Sequence, residues 1–142
     1  MKNAAVDAVG IGVGVVDHAR SKGIKVLEFI SQARPVQTAK EKKEGMPSRY
    51  ADLRSQVIYE FSLGLERGEY KIYEGCPFRN ELISEAMLHQ HEIDGKILRV
   101  ESKDKIKKRT GGTSPDILDA VVMGIYPKLG LDSGSNSGKI IF

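Results

Sequence analysis

Two apolar runs near the start of the chain, residues 4–9 and 24–30, enclose Gly10, Gly12 and Gly14 and a half-polar segment, and this order admits few folds. The runs are rich in β-branched and small apolar residues, as buried strands are. Between them the sequence reads as a glycine turn and then a helix, on which Val15, Val16 and Ala19 share a face that closes at Gly23. Strands joined through a helix lie parallel, so residues 4–30 predict a βαβ unit and an α/β fold.

The rest of the chain supplies the elements such a unit needs as cover. Residues 31–45 carry Pro35 and the mixed-charge run KEKKE with few large apolar groups, and predict a mobile surface loop. From 47 to 67, Leu53, Val57, Ile58, Phe61 and Leu65 recur at helical spacing, with Gly68 as a stop. Residues 70–73 alternate like a short strand. Residues 80–88 predict a helix with Leu82, Ile83, Ala86 and Met87 inward. An Asp94-Gly95 pair between short apolar flanks predicts a hairpin. Ser114 is placed to cap a last helix with Pro115 at its first position, and Ile117, Val121 and Ile125 mark its buried face.

The 142 residues, 40% hydrophobic, suffice for one domain, taken as residues 1–128, followed by a flexible Gly/Ser-rich tail, 129–142. No secretory signal or spanning run is visible, so a soluble, cytoplasmic protein is expected, with no membrane partner. The single Cys76 excludes an internal disulfide and reads as a small half-buried side chain. A net charge of +3 matters less than its distribution. Lys103, Lys105, Lys107, Lys108 and Arg109 cluster around Asp104, either as a phosphate-contacting patch or as a solvated helix face.

Asp7 stands inside an apolar strand just before the glycines, where a charge must meet a cation or reach the strand end, and strand ends face the ligand crevice in parallel sheets. Asp116 and Asp119 share a face at a helix start. Together with Asp7 they would form an oxygen-rich nest for a hard divalent cation; alternatively, Asp116 complements the helix dipole and Asp119 bonds a loop. Gly10, Gly12 and Gly14 lack the spacing of a dinucleotide fingerprint, with Glu28 the nearest candidate ribose acid, and close strand–helix packing accounts for them without a cofactor. His89 and His91 alternate on one strand face but have no third ligand for zinc, and His18 reads as a surface residue.

Three blocks in order, VDAVGIGVGVVDHARSKG, SRYADLRSQVIYEF and SKDKIKKRTGGTSPDILDAV, resemble the nuclease domain of phage terminase large subunits across residues 5–126. The resemblance implies an RNase H-like mixed sheet flanked by helices, and an endonuclease that uses Mg²⁺ or Mn²⁺ to cut double-stranded DNA during genome packaging. It makes Asp7 the family's second acid, Asp116 its C-terminal acid and Asp119 the accompanying carboxylate, with the basic cluster on DNA.

The family places a strand hairpin with another essential Asp before the strand that holds Asp7. This chain is expected to lack those first strands, and so to be a partial nuclease domain. GxxxxGK followed by Ser or Thr does not occur, so ATP hydrolysis is not expected. The expected alternative to an endonuclease is an inactive prophage remnant or DNA-binding module. The resemblance further implies the terminase small subunit and portal as partners, in the cytoplasm of a bacterial host. An exposed sheet edge predicts a homodimer.

Overall fold

The computed structural model describes residues 4–128 together with 140–141. Its opening is the predicted βαβ unit: β1 (Ala5–Asp7), α1 (Ile11–Ser21) and β2 (Leu27–Phe29), with β1 and β2 parallel and Asp7 opposite Phe29. Of the three glycines only Gly10 makes the turn, with a φ of 61°, because α1 already begins at Ile11 and takes in the other two. Gly12 lies inside its first turn, where a Cβ would stand 1.6 Å from the carbonyl oxygen of Asp7. Only a glycine lets the helix fold back so closely on the strand it has just left. Of the face predicted for α1, Val16 is buried while Val15 is exposed.

Residues 31–45 are not all loop, for KEKKE lies in α2 (Ala39–Glu44). The signal is a capping box: the Thr38 hydroxyl accepts from the Glu41 N–H at 3.1 Å, and the Glu41 carboxylate accepts from the Thr38 N–H at 2.7 Å. Next comes α3 (Leu53–Glu66), started by Asp52, whose carboxylate accepts from the Ser55 N–H at 2.7 Å. Leu53, Val57, Ile58 and Phe61 are buried as the periodicity predicts.

Beyond α3 follow β3 (Tyr70–Lys71), α4 (Arg79–Leu88), and a hairpin of β4 (His91–Asp94) and β5 (Ile97–Val100). Asp94 pairs with Ile97, so the turn is centred on Gly95 and Lys96 rather than on Asp94 and Gly95. Gly95 takes the positive φ of 60° that a two-residue turn demands. The inward face of α4 differs from expectation: Leu82 is buried, but Ala86 is exposed and Met87 is 81% exposed. The helix instead turns Leu82, Glu85 and the following His89 toward the interior, because the two polar residues find partners there. His89 therefore lies outside β4 and does not share a strand face with His91.

The basic segment is a helix, α5 (Lys103–Thr110), capped by Ser102, whose hydroxyl accepts from the Lys105 N–H at 3.3 Å. Gly111 and Gly112, with φ of 75° and 117°, reverse the chain into α6 (Asp116–Ile125). Pro115, not Ser114, occupies the cap position of α6. The Ser114 hydroxyl donates to Asp116 at 2.7 Å instead of capping a backbone N–H. A short 3-10 turn, Tyr126–Lys128, follows.

Instead of one continuous mixed sheet, the described strands form three pairs, β1–β2, the β4–β5 hairpin, and β3 with β6 (Ile140–Ile141). The rest of the predicted tail, 129–139 and 142, lies outside the described residues. The core sits between α3, α4, α6 and the strands, where Phe29, Phe61, Leu82, Val100, Leu118, Val122 and Ile125 belong to one buried cluster. No described helix is long and apolar enough to cross a membrane.

Candidate active site

The site forms where the starts of α3, α5 and α6 converge. The first turn of α3 is held against the segment that follows β2 by two backbone bonds, from Leu53 N to Ala33 O at 2.8 Å and from Arg54 N to Ser31 O at 3.0 Å. It is tied to β5 by Val100, whose N–H donates to the Ser55 hydroxyl at 3.1 Å. Arg54 is thereby carried inward with only 8% of its surface exposed.

The two predicted acids of α6 differ in environment. Asp119 is 14% exposed at its side chain, and its Oδ1 lies 3.5 Å from Arg54 Nε. Asp116 is 75% exposed. Lys103, at the start of α5, puts its ammonium between them, in contact with Asp119 Oδ2 and 3.8 Å from Asp116 Oδ1. The acid pair is thus met by two cations, one buried and one half-exposed, which offset the cost of burying Asp119.

Behind the acids lies a polar chain that the periodicity does not reveal. Arg54 Nη1 donates to the carbonyl of Glu101 at 2.9 Å, and Nη2 lies 2.9 Å from His89 Nε2. His89 Nδ1 is 2.9 Å from the carbonyl of Glu85. The Glu85 carboxylate in turn accepts from the Leu118 N–H at 2.7 Å, capping α6 from another helix. Burial lowers the His89 pKa, and Arg54 adds to that. Hydrogen bonding from Arg109 holds the Glu101 carboxyl below its usual value.

Sequence signals for these groups exist in retrospect. Arg54 falls on the same helical stripe as Ile58, Phe61 and Leu65, and Glu85 and His89 follow Leu82 at three- and four-residue steps. A charge on an apolar stripe must be paired.

Asp7 is exposed at the end of β1, and β1 packs against α6. Among the described residues it makes no hydrogen bond or ion pair with Asp116 or Asp119, and no three His, Cys, Asp or Glu residues are grouped to hold a metal ion. Asp116 and Asp119 are hard oxygen donors that suit a divalent cation, but Asp119 already meets the Lys103 ammonium at Oδ2 and Arg54 at Oδ1, so the pair fits such an ion in part. His89 and His91, which the sequence left without a third ligand for zinc, part company: His89 faces Arg54, whereas the His91 ring lies tilted against that of Tyr59, with centroids 4.8 Å apart.

The basic cluster is divided. Lys103 serves the acid pair, Lys105 bonds Glu92 at 2.5 Å, and Arg109 bonds Glu101 at 2.6 Å. Lys107 and Lys108 are exposed and form no ion pair among the described residues. An open groove of about 530 Å³, lined by Ser31, Arg54, Arg99, Lys103 and Lys105 among others, runs past the start of α5 toward the hairpin.

No family model matches the sequence, and no curated protein matches it either. Solved structures do. The nuclease domain of the large terminase subunit of bacterial virus Sf6 is similar over 88% of this chain, at 18% identity and a TM-score of 0.65. A mutant of that domain solved with manganese gives 17% identity and a TM-score of 0.66, and one solved with calcium gives 18% and 0.63. The chain spans 65% of the length of the unmutated Sf6 domain. The expected RNase H-like α/β architecture is thereby borne out: this chain has the fold of the nuclease domain of a phage terminase large subunit.

Proposed function

We propose that the chain is a metal-dependent endonuclease domain of the terminase type, acting on double-stranded DNA during phage genome packaging. The observation that carries this reading is the Asp116–Asp119 pair, bridged by the Lys103 ammonium, in a chain with the terminase nuclease fold. Asp116 and Asp119 would hold Mg²⁺ or Mn²⁺, with Asp7 as the acid from the neighbouring strand. When bound, such an ion polarises the scissile phosphate and lowers the pKa of water.

The chain's own residues do the rest. Arg54 fixes Asp119 against rotation, while exposed Asp116 remains free to turn toward an incoming ion. Lys103 neutralises the acid pair before an ion arrives and afterwards donates to phosphate oxygens. Lys107 and Lys108 attract the DNA backbone, a contact that weakens as salt rises. Small subunit and portal would be partners, in the cytoplasm of a bacterial host. Apolar Val9, Ile11, Val15 and Ile24, exposed on the β1–α1–β2 unit, support self-association through that face, which light scattering across a dilution series tests.

A second reading, a DNA-binding module without catalysis, is favoured by the lack of a third metal donor beside the acid pair among the described residues. Nicking of supercoiled plasmid with Mn²⁺ or Mg²⁺ at low salt separates the two. Asp116→Ala is the informative variant, since Asp116 is exposed and its loss leaves the buried network intact. Nicking lost in the variant supports the endonuclease, and salt-sensitive DNA binding without nicking supports the module.

A further inference from the structure

Arg54 divides its guanidinium among three separate segments. Nη1 donates to Glu101 O at 2.9 Å, Nη2 faces His89 Nε2 at 2.9 Å, and Nε faces Asp119 Oδ1 at 3.5 Å. A guanidinium has donors only, so the ring nitrogen before it must accept. The other ring nitrogen, Nδ1, lies 2.9 Å from the Glu85 carbonyl, which only accepts, and so Nδ1 carries the proton. Two neighbours with one-way roles therefore fix a neutral ring in one tautomer.

On the reading of Asp119 as a metal-site acid, we propose that His89 is a positioning residue for that site: as a neutral acceptor it fixes the rotation of Arg54, and with it the edge against which Asp119 is set. The geometry explains why a histidine is useful there. Without an acceptor at Nη2, the guanidinium keeps a single hydrogen bond, to Glu101 O, and can pivot about it. Nε would then swing away from Asp119, leaving that carboxylate to Lys103 alone. The ring is built into the fold for this purpose at both ends. Glu85, whose carbonyl holds Nδ1, also caps Leu118 in the first turn of α6, so the same residue registers His89 and the helix that bears Asp119.

The charged groups facing the ring are Arg54 from α3, Asp119 from α6 and Glu101 before α5. The Glu85 carbonyl and the two acids favour a proton on the ring, and Arg54 opposes it. Burial also opposes it and is the larger effect, so the neutral form prevails. His89 touches neither substrate nor ion; it acts through Arg54.

The test uses the full chain. Ring ¹⁵N NMR at pH 7.5 should show His89 protonated at Nδ1 and bare at Nε2; the opposite tautomer, or a doubly protonated ring, overturns the proposal without any variant. His89→Gln then offers an amide oxygen near the place of Nε2, and His89→Leu offers no acceptor. His89→Leu should shift the Arg54 Nε–H resonance and weaken Mn²⁺ binding, measured by titration calorimetry with MnCl₂, about tenfold. His89→Gln should restore both. Equal loss in the two variants, or no change in either, overturns the relay. If the unaltered chain binds no Mn²⁺, it is the metal-site reading that fails, and the ring tautomer with the Arg54 resonance still decides the relay. Should His89→Leu not fold, the ring measurement decides.

Discussion

Arg54 Nε lies 3.5 Å from Asp119 Oδ1, a buried cation on the first turn of α3 set against a nearly buried acid on the first turn of α6. Neither helix start could hold its charge alone, and the pair joins the two elements that frame the site. Removing Arg54 leaves Asp119 to Lys103 alone and takes the donor from the buried Glu101 carbonyl and His89 Nε2. Arg54→Met is expected to cost about 3–5 kcal/mol, far more than truncating an exposed arginine. Urea denaturation of Arg54→Met beside Arg67→Met, which changes an exposed residue, checks it; equal losses would show that Arg54 is merely a surface group.

Glu85 caps α6 from α4, a task the sequence had assigned to Ser114. Glu85→Ala should lower stability by about 0.5–2 kcal/mol, the range of a lost helix cap, while Glu85→Gln should retain most of it because its amide oxygen still accepts from the Leu118 N–H. Ser114→Ala should cost less than Glu85→Ala. Thermal melts of the three variants suffice.

Gly12 lets α1 lie against the carbonyl of Asp7. A Cβ there would stand 1.6 Å from that oxygen, and since the obstacle is backbone the strand end or the helix must move. Gly12→Ala should cost about 1–3 kcal/mol, as overpacking does. Gly14→Ala, where a Cβ would meet nothing within 4 Å, serves as the control and should be neutral or stabilising.

His89 also sets a pH dependence. Its folded-state pKa lies below the ordinary value of 6.5, so between the two the unfolded chain binds the proton and the folded chain does not. Stability from His89 is therefore full above pH 6.5 and is lost as the pH falls through that value toward the lowered one. Urea midpoints from pH 8 to pH 5 should decline in the unaltered chain and decline less in His89→Gln. The depressed Glu101 carboxyl acts in the same direction, but only below its ordinary value of 4.5, outside this range.

Of the five cations in the basic cluster, Lys107 and Lys108 are exposed and free of ion pairs among the described residues, whereas Lys105 is bonded to Glu92. Lys107→Ala with Lys108→Ala should weaken DNA binding uniformly across sequences and reduce the salt slope by about 1 per lysine. Lys105→Ala should change it less. Fluorescence anisotropy over a salt series reads both.

What the sequence determined by itself was local. The βαβ opening, the apolar stripe of α3 and the acids at the start of α6 follow from periodicity, glycine placement and propensity, which act over a few residues. Even the missed α2 had a local signal, the Thr38–Glu41 box. The hairpin turn slipped by one residue because Asp94-Gly95 and Gly95-Lys96 both place a glycine where positive φ is needed.

The site was decided by tertiary structure. Arg54 meets a partner 35 residues away in His89 and another 47 away in Glu101, and α6 receives its cap from Glu85 across 33 residues. Apolar residues are alike enough that a period suffices to bury them, but a buried charge needs a particular partner at a particular distance, and only the packed arrangement of distant segments supplies it.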